Sequence, residues 1–327
     1  MKIFVTGGAG FIGSNFVRMA LTGRLPGLEE ADITVFDALT YSGTLTNLQE
    51  VEGLEKFTFI QGDIRDSEAV GRALGGHDAI VHFAAESHVD RSVEDSRVFV
   101  ETNVVGTQVL LDQALALDIP RFVHISTDEV YGSIEEGSWD EQQPLLPNSP
   151  YSASKAASDL LVRSYHVTHG SNVSITRCSN NYGTHHFPEK MIPLFVTNLL
   201  DGHKVPLYGD GENIRDWLHV DDHCRGIALV LLKGRAGEIY NIGGGTELSN
   251  KELTKSLLDA TSRDESYIEH VTDRKGHDRR YSVDIHKIQT ELGYVPLVPF
   301  DEGLAEVVQW YRDNRWWWEP LKERSDR

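Results

Sequence analysis

Apolar residues recur in short runs along the first half of the chain, and each run has the length of a β-strand. These runs are Ile3 to Val5, Ile33 to Phe36, Phe57 to Ile60, Ala79 to Ala84, Phe122 to Ser126 and Val173 to Thr176. Between them, Asn103 to Leu117 and Ser152 to Tyr165 have apolar residues at helical spacing. Strands that are apolar on both faces and alternate with helices indicate a parallel sheet covered by helices on each side. We therefore expect an α/β fold of the doubly wound, Rossmann type.

The pattern changes after about Tyr182, where proline and glycine interrupt the apolar segments. We expect residues 1–182 to form mainly the first domain and residues 183–327 mainly a second, smaller one. A strand-like run at Glu238 to Ile242 suggests that a segment near 218–243 returns to the first domain. The Trp316-Trp317-Trp318 run suggests either a ligand-stacking platform or packing at the chain end, and packing is the more common role of large aromatic residues.

Composition and charge exclude several classes of protein. The chain has 327 residues, 40% of them hydrophobic, and 31 basic against 50 acidic residues give a net charge of −19. We therefore expect a globular protein that binds neither nucleic acid nor membranes, since its average field repels both. Two distant cysteines, Cys178 and Cys224, fit a reducing compartment. Because Met1 leads directly into a strand without a signal peptide, we expect the cytoplasm.

Three glycines form the first chemical signal. Gly7, Gly10 and Gly13 lie between a predicted strand and a predicted helix, where a tight turn and the helix N-terminus can receive a pyrophosphate. Asp37 ends the second strand and can accept hydrogen bonds from ribose hydroxyls while repelling a 2′-phosphate, so we expect NAD rather than NADP. The alternative for Asp37 is a turn residue. Asp63, after the third strand, is a partner for the adenine amine or a helix N-cap.

Tyr151 and Lys155 form the second signal, because residues four apart on a helix share one face. An ammonium beside a phenol favours the phenolate, and lowering the tyrosine pKa from about 10 to near 7 needs about 4 kcal/mol. Lys155 and a positive nicotinamide ring can together supply that energy, which makes Tyr151 the base for alcohol oxidation. The alternative is a surface tyrosine stacked on a lysine stem.

Thr127, Asp128 and Glu129 form the third signal, since they follow a strand at the edge where open α/β sheets bind ligands. Two carboxylates there can divide acid and base duties if their environments separate their pKa values. The alternative is helix capping or a solvated turn. Adjacent side chains on a strand point apart, so both carboxylates reach one substrate only if the backbone turns there.

These motifs together resemble the dTDP-glucose 4,6-dehydratases, a family of extended short-chain dehydrogenases/reductases. The resemblance extends over nearly the whole chain, through the glycine turn, Asp37 to Tyr41, His82 to Asp90, Ser126 to Gly132, Ser149 to Lys155, Thr176 to Gly183, Pro188 to Pro193, Arg215 to Asp222 and Asp273 to Asp278. Two segments differ from the family pattern, Ser42 to Thr44 and Thr184 to His186. These differences concern loop contacts and leave the chemistry unchanged.

The resemblance implies a reaction and a role for each catalytic residue. Tyr151, assisted by Lys155, takes the proton of the C4 hydroxyl while Thr127 holds that hydroxyl, and tightly bound NAD oxidises C4. Glu129 then removes the C5 proton as Asp128 protonates the departing C6 hydroxyl. Hydride returns to C6, and the product is a 4-keto-6-deoxy sugar nucleotide.

The resemblance also implies binding residues. For the NAD cofactor these are Gly7, Gly10, Phe11, Ile12, Gly13, Asp37, Leu39, Thr40, Asp63, Ile64, Phe83, Ala84, Ala85, Ser87, Thr102, Tyr151, Lys155 and Asn181. For the nucleoside-diphosphate sugar they are Ser87, His88, Thr127, Asn180, Glu189, Lys190, Pro206, Tyr208, Arg215, Asn250, Arg274 and His277. Thymidine and uridine nucleotides remain open. The family further implies a homodimer, for which the apolar face of the helix starting at Ser152 is a candidate interface.

The same residues allow three other interpretations: a metal site, a 4-epimerase and a non-catalytic NAD-binding protein. His219 and His223 have a spacing that can ligate a metal, but an aspartate cap at the start of a helix explains this segment more simply, and we expect no metal. A nucleotide-sugar 4-epimerase shares the glycine turn and the Tyr151–Lys155 pair but does not need Asp128 and Glu129. A non-catalytic NAD-binding regulator would be expected to have lost some of these four side chains, and all are present.

Overall fold

The computed structural model describes residues 1–273 and 276–325. Its central feature is a sheet of seven parallel strands in the order β3-β2-β1-β4-β5-β6-β10. These strands are β1 Lys2–Thr6, β2 Asp32–Asp37, β3 Phe57–Gln61, β4 Ala79–His82, β5 Arg121–Thr127, β6 Val173–Cys178 and β10 Ile239–Ile242. The order reverses between β1 and β4, which is the doubly wound arrangement. This confirms the predicted α/β fold of Rossmann type.

Some of the helices cover both faces of this sheet, and the others pack outside it. They are α1 Phe11–Leu21, α2 Ser67–Leu74, α3 Val89–Glu94, α4 Arg97–Phe99, α5 Thr107–Ala116, α6 Pro150–His169, α7 Met191–Leu200, α8 Val220–Lys233, α9 Asn250–Ala260, α10 His286–Leu292, α11 Phe300–Asp313 and α12 Arg315–Ser325. The first part of the helix predicted from Asn103 is wound as a π-helix over Val100–Gly106. Tertiary packing, rather than local spacing, selects that wider turn.

Alternating side chains of the strands explain why the sheet is apolar on both faces. Ile3 and Val5 of β1 pack with α1, α8 and α10, whereas Phe4 between them packs with α2, α5 and α6. The two faces therefore have separate cores, as a buried parallel sheet requires. The polar groups that remain at the carboxyl ends of the strands are gathered along one edge.

The remaining strands form two small sheets outside the central one. β7 Asn180–Tyr182, β9 Ile214–His219 and β11 Glu247–Ser249 form one sheet, and β8 Val205–Tyr208 pairs with β12 Ile268–Val271. A third core packs these sheets against α7, α9, α11 and α12. Trp317 and Trp318 belong to this core, while the side chain of Trp316 is 57% exposed.

The chain crosses between these two parts more than once. β10 pairs with β6 in the central sheet, with Tyr240 opposite Thr176. The strands that precede and follow β10 in the sequence, β9 and β11, belong to a smaller sheet. α8 packs against α1, β5 and β6. The division of the chain near residue 182 stays a prediction.

Candidate active site

A cleft of about 370 Å³ runs along the carboxyl edge of the central sheet. A second cleft of about 210 Å³ adjoins it and extends toward the smaller sheets. Glu129, Asn180 and Lys190 line both clefts, so the two spaces meet at these side chains. Parallel strands end at this edge, which is where folds of this type bind ligands.

The glycine turn forms one end of the first cleft. Gly7 has a φ of 69°, and a Cβ on it would lie 2.5 Å from the amide nitrogen of Ala84. A Cβ on Gly13 would lie 2.3 Å from the carbonyl oxygen of Gly7, so both positions require glycine. Gly10 caps α1 without a side-chain hydrogen bond. Its helix N-terminus can therefore receive the pyrophosphate of a dinucleotide, and the turn fits NAD.

The side chain of Asp37 anchors the glycine turn. Oδ2 accepts a hydrogen bond from the amide of Ala9 at 2.9 Å, and Oδ1 accepts one from the amide of Leu39 at 2.8 Å. Burial raises the pKa of Asp37, and the two amide bonds oppose that shift. Asp37 lines the cleft, where its carboxylate can meet ribose hydroxyls, and it also supports the turn.

The environment of Asp63 settles one alternative from the sequence. Asp63 lines the cleft and pairs with Arg65, with Nη2 and Oδ2 2.6 Å apart, which lowers the pKa of the carboxyl group. The alternative role of Asp63, a helix N-cap, is wrong, because Asp66 caps α2 by accepting a hydrogen bond from the amide of Ala69. Five residues, Gly62 to Asp66, lie between β3 and that helix.

Tyr151 and Lys155 are held by the start of α6. Ser149 and Ser152 form a capping box, and Pro150 occupies the first turn, so the helix begins at a fixed residue. Both functional side chains line the first cleft and are buried. The ammonium of Lys155 donates to the carbonyl oxygen of Ile125 at 2.8 Å. Burial lowers the pKa of Lys155 to about 8.

Burial governs the pKa of Tyr151. It raises this pKa well above its ordinary value, the charge of Glu129 raises it further, and a hydrogen bond with Thr127 opposes them. Desolvation penalises the phenolate in this site. The sequence predicts a lowered pKa only from Lys155 and a positive nicotinamide ring acting together, and that joint effect stays a prediction.

The backbone turns immediately after β5, which is the condition that the Thr127–Glu129 segment had to meet. Asp128–Tyr131 is a single 3₁₀ turn, and the Thr127 hydroxyl accepts from the amide of Glu129 at 3.3 Å while donating to Asp128 Oδ1 at 3.3 Å. As a result, Asp128 and Glu129 both line the first cleft. Thr127 does cap this turn, but capping and cleft lining occur together.

The two carboxylates have different surroundings. Asp128 is 3% exposed, and its Oδ2 has no hydrogen-bond partner within the described residues. Burial raises its pKa well above the ordinary value, and the charges of Glu129 and Asp216 add to that effect. This shift favours the neutral form of Asp128, which can donate a proton. Glu129 lies at the junction of the two clefts.

Most residues expected to bind the cofactor come together in the first cleft. Its lining includes Gly7, Gly10, Phe11, Ile12, Gly13, Asp37, Thr40, Asp63, Ile64, Phe83, Ala84, Ala85, Ser87, Thr102, Tyr151, Lys155 and Asn181. Leu39 is the exception, because its side chain packs against the core while its amide serves Asp37. Its left-handed backbone, with a φ of 52°, directs the chain away at this point.

The residues expected to bind substrate line mainly the second cleft. They are Ser87, His88, Asn180, Glu189, Lys190, Pro206, Tyr208, Arg215, Asn250 and His277. Thr127 lies in the first cleft instead. Arg274 falls outside the described residues. The guanidinium of Arg215 lies 4.2 Å from the ring centre of Tyr281 and donates to the carbonyl oxygen of Asp278 at 2.9 Å, which fixes its direction.

Sequence reasoning missed several lining residues, notably Tyr41, Arg65, Glu86, Cys178, Ser179, His186 and Phe187 in the first cleft and Met191, Phe195, Leu207 and Trp217 in the second. Many of them directly follow strands or lie next to predicted residues, and that position is the signal that could have found them. His186 lies in one of the segments that differ from the family pattern. Its ring stacks on Phe11, with centroids 4.0 Å apart.

The HxxxH segment has a structural role. His219 Nδ1 accepts from the amide of Asp221 at 3.2 Å and caps α8, so the cap is the histidine and not the expected aspartate. The carboxylate of Asp222 instead accepts from the amides of Leu297 and Val298. Within residues 1–273 and 276–325, no three His, Cys, Asp or Glu side chains form a group suited to a metal ion.

Comparison with known proteins agrees with this geometry. The GDP-mannose 4,6 dehydratase family matches residues 4–307. A dTDP-glucose 4,6-dehydratase of Streptomyces niveus is 59% identical over 326 residues, covering 100% of this chain and 97% of that protein.

Two solved structures that resemble this chain to different degrees represent two related types of enzyme. The crystal structure of DesIV, a dTDP-glucose 4,6-dehydratase from Streptomyces venezuelae with NAD and TYD bound, is 61% identical with a TM-score of 0.97, over 98% of this chain and 100% of that one. A UDP-glucose 4-epimerase of Thermotoga maritima is 30% identical with a TM-score of 0.88, over 96% and 100% of the two chains. The chain belongs to the dTDP-glucose 4,6-dehydratase family of extended short-chain dehydrogenases/reductases.

Proposed function

We propose that this protein dehydrates a nucleoside-diphosphate glucose, specifically dTDP-glucose, to the 4-keto-6-deoxy sugar nucleotide. One observation carries the proposal: Asp128, whose pKa is raised by burial, and Glu129 line the same cleft as Tyr151. An alcohol oxidation needs only the tyrosine, whereas removal of water also needs an acid and a base. The three groups together match a reaction that performs both steps.

In the oxidation at C4, Tyr151 acts as the base. Its side chain lines the first cleft, where the phenolic oxygen can take the proton of the C4 hydroxyl. Thr127 lies within hydrogen-bonding reach of Tyr151 and can orient the C4 hydroxyl. Lys155, whose pKa is lowered to about 8, stays mostly charged at neutral pH and stabilises the phenolate once the site is complete.

In the elimination of water, the two carboxyl groups act as base and acid. A ketone at C4 makes the C5 proton acidic, and Glu129 at the junction of the clefts removes it. The raised pKa of Asp128 keeps a proton available for the departing C6 hydroxyl. Because the residues are adjacent and the backbone turns between them, acid and base can act on neighbouring carbons.

The residues present fit a bound NAD, held by the glycine turn and Asp37. When bound, NAD supplies the oxidant for C4 and returns the same electron pair to C6, so the reaction has no net redox change. Asp37 opposes a 2′-phosphate, which supports NAD over NADP.

The acidic chain needs local cations to hold a diphosphate, since its net charge is −19. Arg215 in the second cleft is such a group, and its 5% exposure strengthens charge-assisted bonds there. Asn250 and His277 line the same cleft and can bind the remaining diphosphate or sugar oxygens. We assign the nucleotide to the second cleft and the hexose to the junction.

A homodimer is also part of the proposal. α5 and α6 lie side by side, and both carry exposed apolar side chains: Leu160 and Val167 on α6 are 58% and 63% exposed, and Leu115 on α5 is 40% exposed. Exposed apolar side chains on neighbouring helices are a feature of protein interfaces. We propose that a second copy of the chain covers them.

The cytoplasm is the proposed location. Cys178 and Cys224 are both free and buried, as expected in a reducing compartment. No helix in the described ranges is long and apolar enough to cross a membrane.

The test is to incubate the purified protein with dTDP-glucose and, separately, UDP-glucose. We expect the 4-keto-6-deoxy product, seen by its absorbance in alkali and by mass loss of one water, to form preferentially from dTDP-glucose. Formation of a galactose nucleotide without loss of water would instead identify a 4-epimerase. Binding of NAD without any turnover of either sugar would favour a non-catalytic role.

A further inference from the structure

The tryptophan run at the C-terminus is connected by hydrogen bonds to the glycine turn. Trp317 is 3% exposed, and its indole N–H donates to Asn47 Oδ1 at 2.9 Å. Asn47 Nδ2 in turn donates to the carbonyl oxygen of Ala9 at 2.9 Å. Ala9 lies within the turn between Gly7 and Gly13. Two successive hydrogen bonds therefore link α12 to the turn, and the first of them joins residues 270 positions apart in the sequence.

The peptide groups around Ala9 are held from several directions. The amide of Ala9 donates to Asp37, and its carbonyl accepts from the amide of Thr44 at 3.1 Å as well as from Asn47. Asn47 is 2% exposed, and its own carbonyl accepts from the guanidinium of Arg18 at 2.6 Å. Buried side chains without access to water keep the partners they have. Asn47 is thus a fixed intermediate between Trp317 and the turn.

A second connection runs from α11 to the first residue of α1. The hydroxyl of Tyr311 donates to the carbonyl oxygen of His186 at 2.5 Å, and Tyr311 is fully buried. The ring of His186 stacks on Phe11 at an interplanar angle of 11°. Phe11 follows the turn directly and lines the cofactor cleft. α11 and α12 are therefore each connected, through one intermediate residue, to the same cofactor-binding element.

We propose that Trp317, acting through Asn47, and Tyr311, acting through His186, are positioning residues that hold the glycine turn in its cofactor-binding conformation and slow release of the dinucleotide. The amides of the turn bind a pyrophosphate only while they point into the cleft. Slow release matters on the proposed function, since a cofactor that leaves after C4 oxidation cannot complete the reaction. The tryptophan run then serves the cofactor site and not packing alone.

The test measures release directly. Trp317→Phe retains most of the apolar packing but removes the N–H donor and leaves Asn47 Oδ1 buried. The holoenzyme is loaded with NADH and mixed with excess NAD⁺, and the loss of bound-NADH fluorescence is followed with direct excitation of the nicotinamide. We expect release to be about three- to tenfold faster in the variant, as for loss of one buried hydrogen bond.

Tyr294→Phe is the matched control for stability. Tyr294 is 1% exposed, and its hydroxyl donates to the carbonyl oxygen of Gly243 at 3.1 Å, a bond that ends neither on the turn nor on the residues of the two connections. This variant should lose thermal stability as Trp317→Phe does but keep release within about twofold of the parent. Trp316→Phe, at an exposed position, should change neither quantity.

A second variant covers the case in which Trp317→Phe does not fold. Tyr311→Phe removes only the hydroxyl that bonds to His186, and it should also speed release. Unchanged release in the folded variants, or equally fast release in Tyr294→Phe, would overturn the proposal. The measurement needs no sugar nucleotide, so its result is independent of whether the proposed dehydration is correct.

Discussion

The ammonium of Lys155 on α6 donates a hydrogen bond to the carbonyl oxygen of Ile125 on β5, at 2.8 Å. This bond joins the helix that carries Tyr151 to the strand that ends in Thr127. The oxidation base and the elimination pair are therefore held on two elements that cannot shift independently. Each catalytic group can nevertheless be removed separately, because the two elements contribute different side chains.

Tyr151→Phe should abolish C4 oxidation, since the base is removed while the ring remains. We expect the rate of NADH formation after mixing with dTDP-glucose to fall by about 10²- to 10⁴-fold, measured by stopped-flow absorbance. Tyr165→Phe on the same helix is the control, because Tyr165 bonds to Asp112 outside both clefts. A normal NADH transient in Tyr151→Phe would assign the base to another group.

Glu129→Gln should leave C4 oxidation intact and block removal of the C5 proton. NADH and the 4-keto hexose should accumulate in the site, while turnover falls about 10²- to 10⁴-fold and solvent deuterium no longer enters C5. Glu135→Gln, an exposed position after the same turn, should behave as the parent. If Glu129→Gln lost the initial oxidation as fully as Tyr151→Phe does, Glu129 would not be the C5 base.

Asp128→Asn should permit oxidation but stall departure of the C6 hydroxyl, and it should also change the pH dependence of stability. The folded pKa of Asp128 is raised, so between the unfolded and folded pKa values the native state binds more protons and loses stability as pH rises. The variant lacks this loss. We expect its free energy of unfolding, from urea denaturation, to exceed that of the parent by more at pH 8 than at pH 4. Equal differences at both pH values would contradict a neutral Asp128.

Asp37→Ala should narrow the preference for NAD over NADP, because the carboxylate that opposes a 2′-phosphate is gone. Both affinities should also fall somewhat, since Asp37 supports the amide of Ala9. Binding of each dinucleotide by calorimetry measures the ratio, which we expect to drop about tenfold or more. Asp32→Ala, at the exposed start of β2, is the control. An unchanged ratio would remove Asp37 from cofactor selection.

Leu160→Glu should shift the protein toward monomer if α5 and α6 form the interface. A charge placed at the centre of an apolar contact costs several kcal/mol of association free energy, so we expect at least a hundredfold weaker dimer. Analytical ultracentrifugation over a concentration series gives the association constant. Leu297→Glu is the control, because this residue is 64% exposed on a loop before α11. A monomeric parent, or an unaffected variant, would exclude this surface.

Local sequence was sufficient for the central sheet. The runs that include Ile3, Ile33 and Val173 became parallel strands because they are apolar on both faces, and only a sheet covered on each side buries both. The glycine turn and the Tyr151–Lys155 helix were predictable for a similar reason. Close approach of backbone and an i, i+4 face are properties of a few consecutive residues.

Tertiary structure decided what depends on distant neighbours. The cap of α8 is His219 rather than an aspartate, and burial raises the pKa of Tyr151, because the surroundings of each group come from other segments. The contact of Trp317 with Asn47 likewise joins residues far apart in the chain. The sequence by itself determined the strands of the central sheet, the glycine turn and many of the side chains that carry chemistry. Their protonation and support depend on desolvation and long-range contacts, which exist only once the chain has packed.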